Sequence, residues 1–213
     1  MFDDYWFIPC VPPAFRFIVG PSVRRAPAAL VSDRPEVLEE LPSAPAAIAV
    51  WRRRLPLAVA AGLEAWARSH ASPHDAEVVV TDCDLAAWLR GLDDAEARAW
   101  LERDVRGLVE RFARALDVRE VRLVLGPVTD DKCRKFHVDN LRMRMLCTYV
   151  GPGTEWVDDP SAADRPQRAS AGDVVWIRGK AWPGGARGGV HRSPPLAGSG
   201  QVRLVLVVST LAP

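Results

Sequence analysis

Between about residues 55 and 116 the apolar positions of this chain recur every third or fourth residue; after Asp117 they recur every second. The first spacing lines one face of a helix and the second one face of a strand. Leu55, Val59, Leu63 and Trp66 form one stripe among Arg52, Arg53, Arg54, Glu64 and Arg68, and predict an amphipathic helix ending near Ser69. Ile48 to Trp51, just before it, reads as a short strand or a buried turn. Thr81-Asp82-Cys83-Asp84 reads as a helix start capped by Thr81, with Leu85, Trp88, Leu89 and Leu92 as its stripe. A longer helix is predicted over about Ala95 to Leu116, with Ala97, Leu101, Val105, Leu108, Phe112 and Leu116 on one face.

The strand-like half begins at Val121-Arg122-Leu123-Val124-Leu125, which Gly126-Pro127 should stop. Further strands are predicted over Phe136–Asp139, Met143–Tyr149, Thr154–Val157, Asp173–Arg178, Val190–Ser193 and Val202–Ser209. Asp158 to Ala171 reads as a polar loop, and His70 and His74, beside Pro73, as a solvated one. Short strands parted by Gly/Pro turns indicate a sandwich or small barrel, and helices followed by strands give an α+β class. Residues 1–47 are rich in Pro, Ala and Arg, which breaks any long helix. They read as an extended or partly ordered arm, with Phe15 to Val19 as a strand that could join the body, or as a disordered leader. The expected organisation is this arm, a helical region over 48–118 and a metal-carrying β domain over 119–213.

Composition narrows the function classes. The 213 residues carry a formal charge of +1, which gives no reason to expect nucleic acid or an anionic membrane as partner. Cys10, Cys83, Cys133 and Cys147 form no CxxC pair and are too sparse for a disulfide scaffold. The start, Met1-Phe2-Asp3-Asp4, lacks the basic segment of a secretory signal, and no apolar run is long enough to span a bilayer. A reduced, cytoplasmic protein is expected.

The chemistry concentrates at Cys133-Arg134-Lys135-Phe136-His137-Val138-Asp139-Asn140. His137 and Asp139 stand two residues apart, which on a strand puts both on one face roughly 6–7 Å apart. Of the four histidines only His191 lies downstream, and it completes two imidazoles and one carboxylate. That donor set with open positions is the arrangement of non-haem Fe(II) oxygenases, and neutral imidazole suits Zn(II) as well. Cys133 would lie about 13 Å from His137 on an extended strand and is not expected to be a ligand. Cys147 alternates with apolar neighbours and reads as a small buried hydrophobe. Arg203 sits in an otherwise apolar strand; facing inward with Val205 and Val207 it needs an anion, and a bound carboxylate would supply one. At the strand mouth it would instead reach water. Tyr149 is a second candidate for the same carboxylate or a core tyrosine, and Glu155, Trp156 and Trp182 are candidates to line a substrate cleft.

Phe136-His137-Val138-Asp139, then Arg144 to Tyr149, Ala171-Gly172-Asp173-Val174, His191 and Arg203 resemble the prolyl-hydroxylase-like 2-oxoglutarate/Fe(II) dioxygenases over about residues 120–210. The resemblance implies a double-stranded β-helix of jelly-roll or cupin type under an N-terminal helical cap. It implies Fe(II) on His137, Asp139 and His191, and 2-oxoglutarate on Arg203, with Tyr149 assisting. The substrate would be a small molecule or peptide. Cys133 to Asp139, Leu146 to Trp156 and Val190 to Pro195 also look like the bacterial DUF1826 family, a likeness reaching back to Trp51. The alternative from another class is a non-catalytic divalent-metal protein holding Zn(II) alone, in metal homeostasis.

Overall fold

The computed structural model describes residues 29–211 except 70–72, 131–132, 159–163 and 186. The strand expected over Phe15–Val19 lies outside the described residues. In chain order come β1 (Ala29–Ser32), α1 (Val37–Glu40), β2 (Ile48–Trp51), α2 (Leu57–Ser69), β3 (His74–Val79), α3 (Leu85–Trp88) and α4 (Ala95–Leu116). The strand-rich half follows: β4 (Glu120–Val128), β5 (Met143–Val150), β6 (Glu155–Trp156), β7 (Gln167–Arg168), β8 (Val174–Arg178), β9 (His191–Arg192) and β10 (Arg203–Ser209). Seven strands form one sheet in the order β1-β2-β8-β5-β10-β4-β3; β7, β6 and β9 form a smaller one. Among the described residues every pairing is antiparallel except β1 with β2. The class is α+β, as expected.

The long helix falls where its stripe places it. Asp94 caps it by accepting from Ala97 N at 3.0 Å, and Asp117 ends it in a left-handed turn. Ala97, Leu101, Val105, Leu108, Phe112 and Leu116 are all buried. They pack with α2 against one face of the large sheet: Met143, Met145, Cys147 and Tyr149 of β5, Val121, Leu123 and Leu125 of β4, and Leu204 and Leu206 of β10. Phe112 meets Trp176 of β8 edge-on, centroids 5.3 Å apart. Helices and sheet thus share one buried cluster, so the helices are a layer of that core rather than a cap set apart from it.

The opposite face of the sheet has two halves. On one, Trp156 of the small sheet packs against Ile48, Val50, Val175 and Ile177 in a second apolar cluster. On the other the two sheets leave a cavity.

Several local expectations are corrected. The helix at Leu85 is capped by Asp84, which accepts from Ala87 N at 3.3 Å, and not by Thr81. His74 is not in a solvated loop; it opens β3 opposite Leu125 and stacks on Trp88 at 5.4 Å. The strand at Val121 does not stop at Gly126-Pro127: Gly126 pairs Val205 and Pro127 pairs Leu204. A Cβ at Gly126 would run into the Pro73 backbone, so this close approach requires glycine. Part of the expected arm is built in: β1 is an edge strand, and α1 puts Val37 and Leu38 in the core. Within the described residues no helix is long and apolar enough to cross a membrane.

Candidate metal centre

Phe136–Asp139 is not a strand. Its one ladder contact is His137 opposite His191, where each backbone N–H donates to the other's carbonyl at 3.0 Å. The Asp139 carbonyl accepts from Lys180 N at 2.8 Å, and Gly179 N donates to Arg142 O at 2.9 Å. A Cβ on Gly179 would overlap the Leu141 carbonyl, so glycine lets the two segments cross. The loop before β5 is therefore pinned from two sides, to β9 and to the turn after β8. That pinning, and not strand alternation, brings the side chains together.

Their metal-competent atoms all lie within 4.8 Å of one another. Asp139 Oδ1 is 3.4 Å from His137 Nε2, and Asp139 Oδ2 is 3.3 Å from His191 Nε2. His137 Nδ1 donates to Lys135 O at 2.8 Å, and His191 Nδ1 to Gly189 O at 3.1 Å. A carbonyl only accepts, so each Nδ1 carries a proton, and Nε2 is the ring nitrogen turned toward Asp139. This is the outer-shell support that metal-binding histidines carry. Asp139 and His191 are buried. Asp139 Oδ2 accepts no hydrogen bond among the described residues, although it is buried. Two ring nitrogens and a carboxylate turned toward one another at 3.4 and 3.3 Å are a donor set that a divalent cation can satisfy. The residues present therefore fit a divalent metal. Burial raises the Asp139 carboxyl, but the contact with His191 and the nearby Arg144 outweigh it and hold it below the usual carboxylate range.

The centre opens into a cavity of about 350 Å³ between the sheets, lined among others by His137, His191, Arg144, Leu146, Val205, Val207 and Arg203. Arg203 is buried on β10, faces inward with Val205 as alternation predicts, and does not reach the strand mouth. Its Nη2 donates to Thr148 Oγ1 at 3.0 Å, while its Nε has no partner among the described residues. Burial pushes the guanidinium down to about 10, with Glu155 partly countering.

Other candidates lie elsewhere. Tyr149 faces the helices, and its hydroxyl donates to Asp104 Oδ2 on α4 at 2.8 Å. Arg53 bonds the same carboxylate at 2.5 and 2.7 Å and also donates to Gly172 O at 2.6 Å, which ties α4 to the Gly172-Asp173 turn. Tyr149 is thus a core residue and not a cavity donor. Both faces of β5 are covered, so apolarity marked the helix side and left the cavity side, Arg144, Leu146 and Thr148, unread. Arg144 and Thr148 are the site residues the sequence reading missed; their only signal was being polar on alternate positions of a central strand. Glu155 is buried between Arg168 and Arg192, Trp156 lies in the apolar cluster, and Trp182 stacks under Arg178 and Arg142 at 5.1 and 5.9 Å. None of these three lines the cavity. Cys133 is exposed at the cavity wall and lies outside the ligand cluster. Cys147 is buried on the helix side, and burial pushes its thiol up to about 12.

Two facing sheets with a His-Asp-His cluster between them define a β-sandwich protein with a candidate metal centre. The chain belongs to the DUF1826 family, described as a protein of unknown function, whose model matches residues 32–209. No curated protein matches its sequence. Among solved structures it is similar to the rice dioxygenase for auxin oxidation: 17% identity, TM-score 0.46, covering 87% of this chain and 83% of that one. The corresponding Arabidopsis thaliana dioxygenase, solved with 2-oxoglutarate, has 9% identity and TM-score 0.47, covering 87% and 92%. A Pseudomonas putida prolyl-4-hydroxylase has 12% identity and TM-score 0.44, covering 83% and 97%.

Proposed function

We propose that this protein is a non-haem Fe(II)- and 2-oxoglutarate-dependent dioxygenase with a double-stranded β-helix core, acting on a small molecule or peptide. One observation carries the reading: a buried arginine with an unsatisfied Nε opens into the same cavity as the His137–Asp139–His191 cluster. A metal trio alone suits many ions and roles. An inward-facing guanidinium beside it calls for an anionic ligand, because burying an unpaired charge is costly.

His137, Asp139 and His191 would hold the iron. Arg203, supported by Thr148, would take the distal carboxylate of 2-oxoglutarate, for which the guanidinium fork is suited. Leu146, Val205 and Val207 present apolar wall beside the centre and limit water there. Iron with 2-oxoglutarate supplies oxidative decarboxylation of the co-substrate coupled to oxidation of a substrate C–H bond. The protein's part is to bind and orient both.

The test begins with metal analysis of protein purified without added iron. Anaerobic addition of Fe(II) and 2-oxoglutarate should then produce a weak visible charge-transfer band, and air should release succinate. Zinc retained at full occupancy, with neither band nor succinate, would instead identify a non-catalytic zinc protein.

A further inference from the structure

We infer that Arg144 is a positioning residue that keeps Asp139 a one-oxygen metal ligand and so sets how many positions on the ion stay open. The inference rests on the dioxygenase reading above. Asp139 offers two nearly equivalent oxygens: Oδ1 stands 3.4 Å from one imidazole nitrogen and Oδ2 3.3 Å from the other. Either oxygen could therefore reach an ion shared with the histidines, and carboxylates bind hard cations through one oxygen or two. What separates them is Arg144. Its Nη1 donates to Oδ1 at 2.8 Å, whereas Oδ2 accepts nothing among the described residues.

Arg144 is itself held. It stands opposite Ser209 across the β5–β10 ladder, and its Nε donates to Ser209 Oγ at 3.2 Å. A charge-assisted hydrogen bond of this length occupies the oxygen in its favoured direction. The guanidinium's bond draws electron density from Oδ1 and makes it the weaker donor toward a cation, and Oδ2, which has no such bond among the described residues, is the stronger one. On a six-coordinate ion two imidazoles and one oxygen would fill three positions, a chelating 2-oxo acid would take two more, and one would remain. With both Asp139 oxygens bound, that last position would be gone.

Nitric oxide reads that position directly. The protein loaded anaerobically with Fe(II) and 2-oxoglutarate is titrated with nitric oxide, and the high-spin EPR signal of the iron nitrosyl is followed. Wild type should give the signal. Arg144→Met should still take up iron and 2-oxoglutarate but bind nitric oxide at least about tenfold more weakly, the equivalent of roughly 1.4 kcal/mol. Arg144→Lys, which keeps a donor, should recover most of it. Ser209→Ala, which leaves the guanidinium but removes its anchor, should lose part of the affinity with iron uptake intact, and it decides the matter if Arg144→Met fails to fold. Equal nitric oxide affinity in Arg144→Met, or in Ser209→Ala where that variant decides, overturns the inference and leaves the dioxygenase reading standing. Loss of iron from a folded Arg144→Met also overturns it, because Arg144 would then serve only to offset charge. A wild type that binds neither iron nor 2-oxoglutarate overturns both.

Discussion

Arg203 Nη2 donates to Thr148 Oγ1 at 3.0 Å, and the two residues meet inside the sandwich on neighbouring strands. That single neutral acceptor leaves the cation largely uncompensated, and its pKa falls to about 10. A base depressed in the folded state costs stability at every pH below about 10, where folded and unfolded chains are both protonated. The cost is relieved only as pH rises from there toward the ordinary arginine value. Arg203→Met should therefore raise the stability of the metal-free protein at neutral pH by about 1–4 kcal/mol, the usual gain when apolar residues replace buried charge. Urea unfolding of the two apo proteins measures it; a less stable variant would mean that the guanidinium has a stronger internal partner.

The same residue should behave oppositely in binding. Arg203→Ala is expected to keep the metal but weaken 2-oxoglutarate by roughly 2–5 kcal/mol, the range for breaking a buried charge pair. Arg203→Lys should be intermediate, since a point charge matches a carboxylate less well than a fork. Anaerobic titration of the Fe(II) protein gives both affinities. Unchanged affinity in Arg203→Ala would remove the co-substrate assignment.

Tyr149→Phe separates the cavity face of β5 from its helix face. The lost bond is to Asp104, which keeps both bonds from Arg53. The expected cost is about 1 kcal/mol of stability, with no change in 2-oxoglutarate affinity. A large loss of affinity would place the hydroxyl in the cavity after all.

These contrasts show what the chain makes legible. The long helix was readable because its stripe and its length agree, β5 because apolar residues alternate along it, and β8 and β10 because each carries an apolar run. β3 and β7 were not. His74–Val79 is half polar and Gln167–Arg168 is exposed, so their partners, more than their own residues, make them strands. The metal trio was picked out for a reason the structure replaces. Strand alternation suggested that His137 and Asp139 share a face, whereas paired backbone bonds to His191 and a crossing at Gly179 place them. Long-range pinning of that kind leaves almost no trace in local spacing.

Metal uptake should separate the histidine set from the thiols. His137→Ala, Asp139→Ala and His191→Ala should each lose the ion, since each removes one of three donors. The double variant Cys133→Ser, Cys147→Ser should keep it. Cys147 is buried on the far side of β5 with its thiol pushed up to about 12, a poor thiolate donor. Elemental analysis after dialysis gives the stoichiometry. Loss of metal in the double serine variant would point to a mixed Cys/His zinc site.

Glu155 should prove structural, and its pH dependence supplies the test. Its carboxylate is buried and accepts from Arg168 Nε at 2.9 Å and Arg192 Nε at 2.6 Å. Burial alone would raise it, yet the bonds to the two arginines win and hold it below its ordinary 4.5. An acid depressed in this way contributes stability above its unfolded value, and the contribution is lost as pH falls through the folded one. Glu155→Gln should cost about 3–5 kcal/mol at neutral pH, because two guanidinium groups lose their shared anion. The gap between wild type and variant should then close as pH drops below 4.5. Taking the difference matters, because Asp139 is depressed too and titrates in the same direction. Arg168→Ala should cost less than Arg192→Ala, since its side chain is 55% exposed against 25% and solvent screens it more. Urea unfolding across the acid range reads all of this. A Glu155→Gln protein that unfolds like wild type but loses 2-oxoglutarate binding would move Glu155 out of the scaffold and into the site.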